Sequence, residues 1–173
     1  MNPTSCEPRE ESRTAIVLVG GRSLRMGQPK AALKFAGRTI FDHVMDELGA
    51  SFSEILVVAA PPHEKNFAID GAIDRVRARG THVALVRDEL AFGGPVGALR
   101  NGMRTARNET VFAASCDLPL LDGALARALC AMLDGYDAVI PECGGRSHPL
   151  HAAYRRRAAA DALARMEASG ERR

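Results

Sequence analysis

Tryptophan is absent from the 173 residues, and aromatic side chains make up only 5% of them. Binders of single-stranded nucleic acid stack bases on aromatics, and duplex binders carry a strong basic field. Here 23 Lys and Arg stand against 21 Asp and Glu, a net charge of +2. Neither device is present, so nucleic acid is not an expected partner. Long apolar runs are missing as well, and nothing approaches the ~20 residues that span a bilayer. No membrane association is expected. Met1 to Arg13 is polar, rich in Glu, Pro and Arg, and lacks the apolar centre of a secretory signal. It reads as a disordered tail before a single domain over 14–173. The four cysteines, Cys6, Cys116, Cys130 and Cys143, are widely spaced without a C-x-x-C pair. Reduced thiols in the cytoplasm follow as the expectation. A zinc site from Cys143, His148 and His151 would lack a fourth ligand.

What remains is ordinary for a globular chain: 46% hydrophobic and 25% charged residues, in a length that buries a real core as one domain. Short apolar runs alternate with longer amphipathic segments. Strands are expected at Thr14–Val19, Ile55–Ala60, His82–Val86, Thr110–Ser115, Asp137–Ile140 and Leu150–Tyr154. Phe41, Val44, Met45 and Leu48 share one helical face. Further helices are expected within His63–Arg79, where Gly71 interrupts the pattern, over Val96–Ala106, from the Asp122 cap through Leu133, and over Ala158–Ala168. Arg155-Arg156-Arg157 reads as solvated helix surface. Strands alternating with helices imply βαβ units and a mostly parallel sheet. Their continuous apolar character suits a sheet covered on both faces, a three-layer α/β/α arrangement.

In such a sheet the carboxyl ends of the strands share one edge, where open α/β proteins bind ligands. Three unusual clusters follow strands there. The first, Gly20–Lys30, has neither G-x-x-x-x-G-K-[ST] nor G-x-G-x-x-G. Its Gly20-Gly21 is either a plain tight turn or a set of unhindered amides for a phosphate. Arg25 and Lys30 in the same loop weigh towards an anion. The second runs from Asp88 to Gly97. Asp88 is a cap or a ligand contact, and Gly93-Gly94-Pro95-Val96-Gly97 is a strand-to-helix turn or a place where backbone approaches a flat ring. The third is Cys116-Asp117-Leu118-Pro119. Asp117 either caps the turn before Pro119 or supplies carboxylate oxygen to a hard cation such as Mg²⁺. Cys116 reads as a small buried residue. Arg146-Ser147-His148-Pro149-Leu150-His151 is a loop between late strands, either solvated or in contact with substrate. No nucleophile–base set follows from the spacing.

Leu18-Val19-Gly20-Gly21-Arg22-Ser23-Leu24-Arg25-Met26-Gly27-Gln28-Pro29-Lys30 resembles the L-A-G-G-x-S-x-R-M-G-x-x-K pattern of the molybdenum cofactor guanylyltransferases, with Val19 for the usual Ala. These enzymes lie within the nucleotidyltransferases of Rossmann-like fold. Asp88 with Gly94-Pro95-Val96-Gly97, then Cys116-Asp117-Leu118-Pro119 and His148-Pro149, follow in the family's order. The resemblance implies transfer of GMP from GTP to molybdopterin carrying molybdenum (Mo-molybdopterin), with release of pyrophosphate. It implies nucleotide contacts at Leu18, Val19, Gly20, Gly21, Lys30, Asp88, Gly94, Gly97 and Asp117, and Mg²⁺ on Asp117. Arg25, Lys30 and Asp117 are the expected catalytic set. Proteins that deliver molybdopterin or mature molybdoenzymes are the implied partners. Alternatives on the same scaffold are a transferase using another nucleotide, of the molybdopterin cytidylyl or sugar-phosphate type, and a non-catalytic truncated nucleotide-binding member. Two departures stand out. Many members carry an Asn where the second strand ends in Val58-Ala59-Ala60. They also continue to an Asn-x-Asn-Thr-Pro segment, which the 173 residues do not include.

Overall fold

Apolar runs of six residues form the parallel part of a six-stranded sheet. The structure, a computed structural model, describes residues 12–20, 32–59, 69–87 and 94–170. Strand β1 (Thr14–Val19) leads to a short hairpin of β2 (Lys34–Phe35) and β3 (Arg38–Thr39), then helix α1 (Ile40–Gly49) and β4 (Glu54–Ala59). Helix α2 (Asp70–Ala78), β5 (His82–Arg87), α3 (Gly94–Thr105), β6 (Thr110–Ser115) and α4 (Gly123–Ala131) follow. The chain continues through β7 (Ala138–Val139), a second hairpin of β8 (Glu142–Cys143) and β9 (Arg146–Ser147), β10 (His151–Arg155) and α5 (Arg156–Ala168). The central sheet runs β5-β4-β1-β6-β10-β7. Its first four strands are parallel, and β10 is antiparallel to both neighbours.

Because successive strand residues point to opposite faces, β1 divides its side chains between two cores. Ala15, Val17 and Val19 face α1, α2 and α4. Ile16 and Leu18 face α3 and α5. This is the three-layer arrangement read from the apolar runs. Phe41, Val44, Met45 and Leu48 are the buried stripe of α1, whose start is fixed by a reciprocal bond pair between Thr39 and Asp42. Gly102 lets α3 settle onto β1, since a Cβ there would stand 2.8 Å from Ile16. Its need is packing.

Several expectations require correction. Two-residue strands are too short to show periodicity, and both hairpins were absent from the sequence reading. Within the described residues, α2 starts at Asp70, so Gly71 lies in its first turn and interrupts nothing. Residues 63–68 lie outside the described set. The Arg155–Arg157 run is not simply solvated: Arg156 N–H donates to the Glu109 carbonyl at 2.8 Å, and the Arg155 guanidinium reaches the Leu133 carbonyl at 3.3 Å. Only Arg157 among the three is exposed.

The amino ends of the strands are closed by a buried polar cluster. Glu54 accepts from Thr14 Oγ1 at 2.5 Å and from the Arg107 N–H at 3.0 Å, with the Arg107 guanidinium 3.4 Å away. Asn108 Nδ2 donates to Thr14 Oγ1 at 3.1 Å. Burying Glu54 is tolerable because each donor meets an acceptor. Glu54→Ala strands the Thr14 hydroxyl and the Arg107 amide, and should cost about 2 kcal/mol. The check is urea unfolding followed by circular dichroism: the midpoint should fall, and an unchanged midpoint would remove the cluster from the account of stability.

Candidate active site

The order of the strands sets a topological switch point at the opposite end. From β1 the chain moves outward through β4 to β5, then returns to the other side of β1 as β6. Connections therefore leave β1 and β6 in opposite directions, which makes their carboxyl ends a topological switch point. Register brings the ends level: Val19 pairs with Ala59, Ala59 with Arg87, and Leu18 with Ser115. One further bond, from the Cys116 N–H to the Leu18 carbonyl at 3.2 Å, extends the β1–β6 ladder. Gly20 follows the end of β1, and Asp117 stands in the turn that follows the end of β6.

Gly20 is exposed, and a Cβ placed on it would meet no described atom within 4 Å. Packing among the described residues does not demand glycine there. Leu18 and Val19 bury their side chains on opposite faces of the sheet, so only their backbone can meet a ligand. Asp117 is half-buried, and its Oδ1 accepts from Ser115 Oγ at 2.5 Å. The capping role that Asp117 could have filled belongs, for α4, to Asp122, which accepts from the Ala124 and Leu125 amides at 2.7 and 3.2 Å. Cys116 is buried in the core, as expected.

Helix α3 begins at the same rim. Gly94 has φ +81°, a backbone conformation that glycine adopts without strain. Gly97 meets a different requirement: a Cβ there would lie 3.1 Å from Glu167 Oε1 of α5, and Glu167 is itself paired with Arg100. Gly21, Arg25, Lys30 and Asp88 lie outside the described residues.

The far side of the rim carries the β8–β9 hairpin, turned by Gly144 and Gly145 at φ 58° and 73°. Arg146 and His148 are exposed on this arm. Its base is tied by His148 N–H to the Pro141 carbonyl at 3.0 Å and by Tyr154 OH to the Pro149 carbonyl at 2.7 Å. Burial pushes the Tyr154 phenol up to about 12, so it remains a donor. His151 lies edge-on to Phe112. Burial first, and then the neighbouring His148, hold it below its ordinary value, favouring the neutral ring. Ser115 was missed in the sequence, where a hydroxyl two positions before an aspartate carries no signal of its own.

A cation held wholly by protein has no counterpart here: among the described residues no group of three His, Cys, Asp or Glu could hold a metal. This also leaves the Cys143–His148–His151 idea without support. A single hard carboxylate such as Asp117 instead fits Mg²⁺, which takes few protein oxygens and completes its shell with phosphate and water.

Comparison with known proteins decides the family. The model of the MobA-like NTP transferase domain matches residues 15–173. The chain belongs to that family. This MobA-like chain is 31% identical over 146 residues to a probable molybdenum cofactor guanylyltransferase of Carboxydothermus hydrogenoformans, covering 84% of the chain and 67% of the relative. It is 32% identical to one of Bacillus velezensis, covering 84% and 68%. It thus spans about two thirds of the length of these relatives. Molybdopterin-guanine dinucleotide biosynthesis protein A from Archaeoglobus fulgidus shares the fold, with a TM-score of 0.67 at 21% identity over 92% of this chain and 75% of that one. Membership places the MobA-like chain among nucleotidyltransferases.

Gly20→Ala tests the open backbone. It should leave the melting temperature unchanged while weakening triphosphate binding about tenfold, a change of ~1.4 kcal/mol. Titration calorimetry beside a melting curve reads both, and unchanged affinity would show that no ligand approaches Gly20.

Proposed function

We propose that the protein transfers GMP from GTP to Mo-molybdopterin, giving the guanine dinucleotide cofactor and pyrophosphate. The observation that supports this reading is the parallel pairing of β1 with β6 at the switch point, with Gly20 following one strand and Asp117 the other. The names of the relatives at 31% and 32% identity support the choice of substrates. The terminal phosphate of molybdopterin attacks the α-phosphorus of GTP in line, and pyrophosphate leaves from the opposite side. A phosphate monoester has a second pKa of about 6 and is already mostly ionised near neutrality. The attack therefore needs no general base. The protein's work is to bring two polyanions together and to stabilise charge on the leaving group.

The residues divide that work. The Gly20-Gly21 backbone receives phosphate oxygens, and Lys30 and Arg25 supply positive charge along the chain of phosphates. Asp117 holds the cation. Mg²⁺, when bound, neutralises phosphate oxygens and eases departure of pyrophosphate. The family's motifs assign nucleotide contacts to Asp88, Gly94 and Gly97. The Arg146–His148 arm on the far side of the rim suits the acceptor. The enzyme is assigned to the cytoplasm, where thiols stay reduced.

The test is pyrophosphate release in Mg²⁺ with Mo-molybdopterin and each of GTP, CTP, ATP and UTP. GTP should be used fastest, and Asp117→Ala should lower the rate by about 10²-fold or more with the fold retained. A preference for CTP would move the protein to the cytidylyl type. Absence of pyrophosphate with every nucleotide would leave a binding protein and overturn the proposal.

A further inference from the structure

Ser115 ends β6, and its position in the strand alternation puts its side chain on the face of Val111 and Ala113, the face covered by α3 and α5. Its backbone is held from both sides. The N–H donates to the Leu150 carbonyl at 3.1 Å, and the residue pairs with Leu18 in the parallel register. The hydroxyl is thus carried on a fixed backbone between two strands. From there it donates to Asp117 Oδ1 at 2.5 Å. Asp117 itself stands in the turn beyond the strand.

From this geometry we infer that Ser115 is a positioning residue for the metal–triphosphate complex. It fixes the plane and rotamer of the Asp117 carboxylate so that the group meets the cation without a search. The inference rests on the reading of Asp117 given under Proposed function. Carboxylates that ligate metals are commonly oriented by hydrogen bonds of this kind, and loss of the outer partner weakens the site although the ligand remains. A hydroxyl suits the position because it is small enough for a strand end and donates through a single rotor. Threonine keeps the donor and tolerates extended backbone. Alanine removes the donor while preserving the strand.

The experiment uses Mn²⁺ as a spectroscopic probe, titrated into the full chain with GTP and followed by electron paramagnetic resonance. Ser115→Ala should raise the half-saturating Mn²⁺ concentration about tenfold. Ser115→Thr should stay close to the unsubstituted protein. GTP binding in excess chelator should be the same in all three, because the deficit belongs to the cation. Asp117→Ala, run in parallel, should lose the bound Mn²⁺ signal. If Asp117→Ala loses it and Ser115→Ala titrates like the unsubstituted protein, the role of Ser115 is overturned while the metal reading stands. If Asp117→Ala retains full Mn²⁺ binding, that reading fails and takes this inference with it.

Discussion

Parallel pairing of β1 with β6 is the constraint on which the rim depends. Leu18 and Ser115 stand 97 positions apart along the chain, yet they pair in one ladder. Hydrogen bonding between them sets the height of both carboxyl ends, because each added residue must continue the same register. Gly20 and the Asp117 turn follow strand ends that this pairing holds level. Slipping the register by one residue would exchange the buried faces of β1, where Ile16 and Val17 belong to different cores. Packing on both faces therefore defends the geometry of the site.

The two ends of the sheet use polar groups in opposite ways. At the amino ends Thr14, Glu54, Arg107 and Asn108 satisfy one another, and the cluster ties together β1, β4 and the segment before β6. At the carboxyl ends, backbone at Gly20 stays exposed and a carboxylate is held by a neighbouring hydroxyl. Glycines show the same division. Gly102 is small because Ile16 stands close, whereas a Cβ on Gly20 would meet no described atom within 4 Å.

Much of this was legible in the sequence. Thr14–Val19 and Thr110–Ser115 carry continuous apolar runs, and their boundaries match the strands observed. The α1 stripe and the Asp122 cap follow from helical spacing and capping chemistry. The glycine-and-cation loop and the Cys-Asp-x-Pro step marked the family, and the fold brings the described ends of both motifs to one edge. Other features depend on contacts between distant residues and leave no local trace. Gly97 stands close to Glu167 of α5, a neighbour that its own motif does not reveal. Ser115 acquires meaning only when the turn folds Asp117 back towards it. Short hairpins and the anchoring of Arg155 and Arg156 by Leu133 and Glu109 likewise arise from tertiary neighbours.

Paramagnetic broadening in isotopically labelled protein with bound Mn²⁺ and GTP tests the central claim most directly. Gly20 and Asp117 amide signals should vanish first, while those of Thr14 and Thr110, roughly 15–20 Å away at the far ends of the same strands, should persist. Broadening centred on Thr14 and Thr110, or equal at both ends of the sheet, would contradict a metal–triphosphate site between β1 and β6.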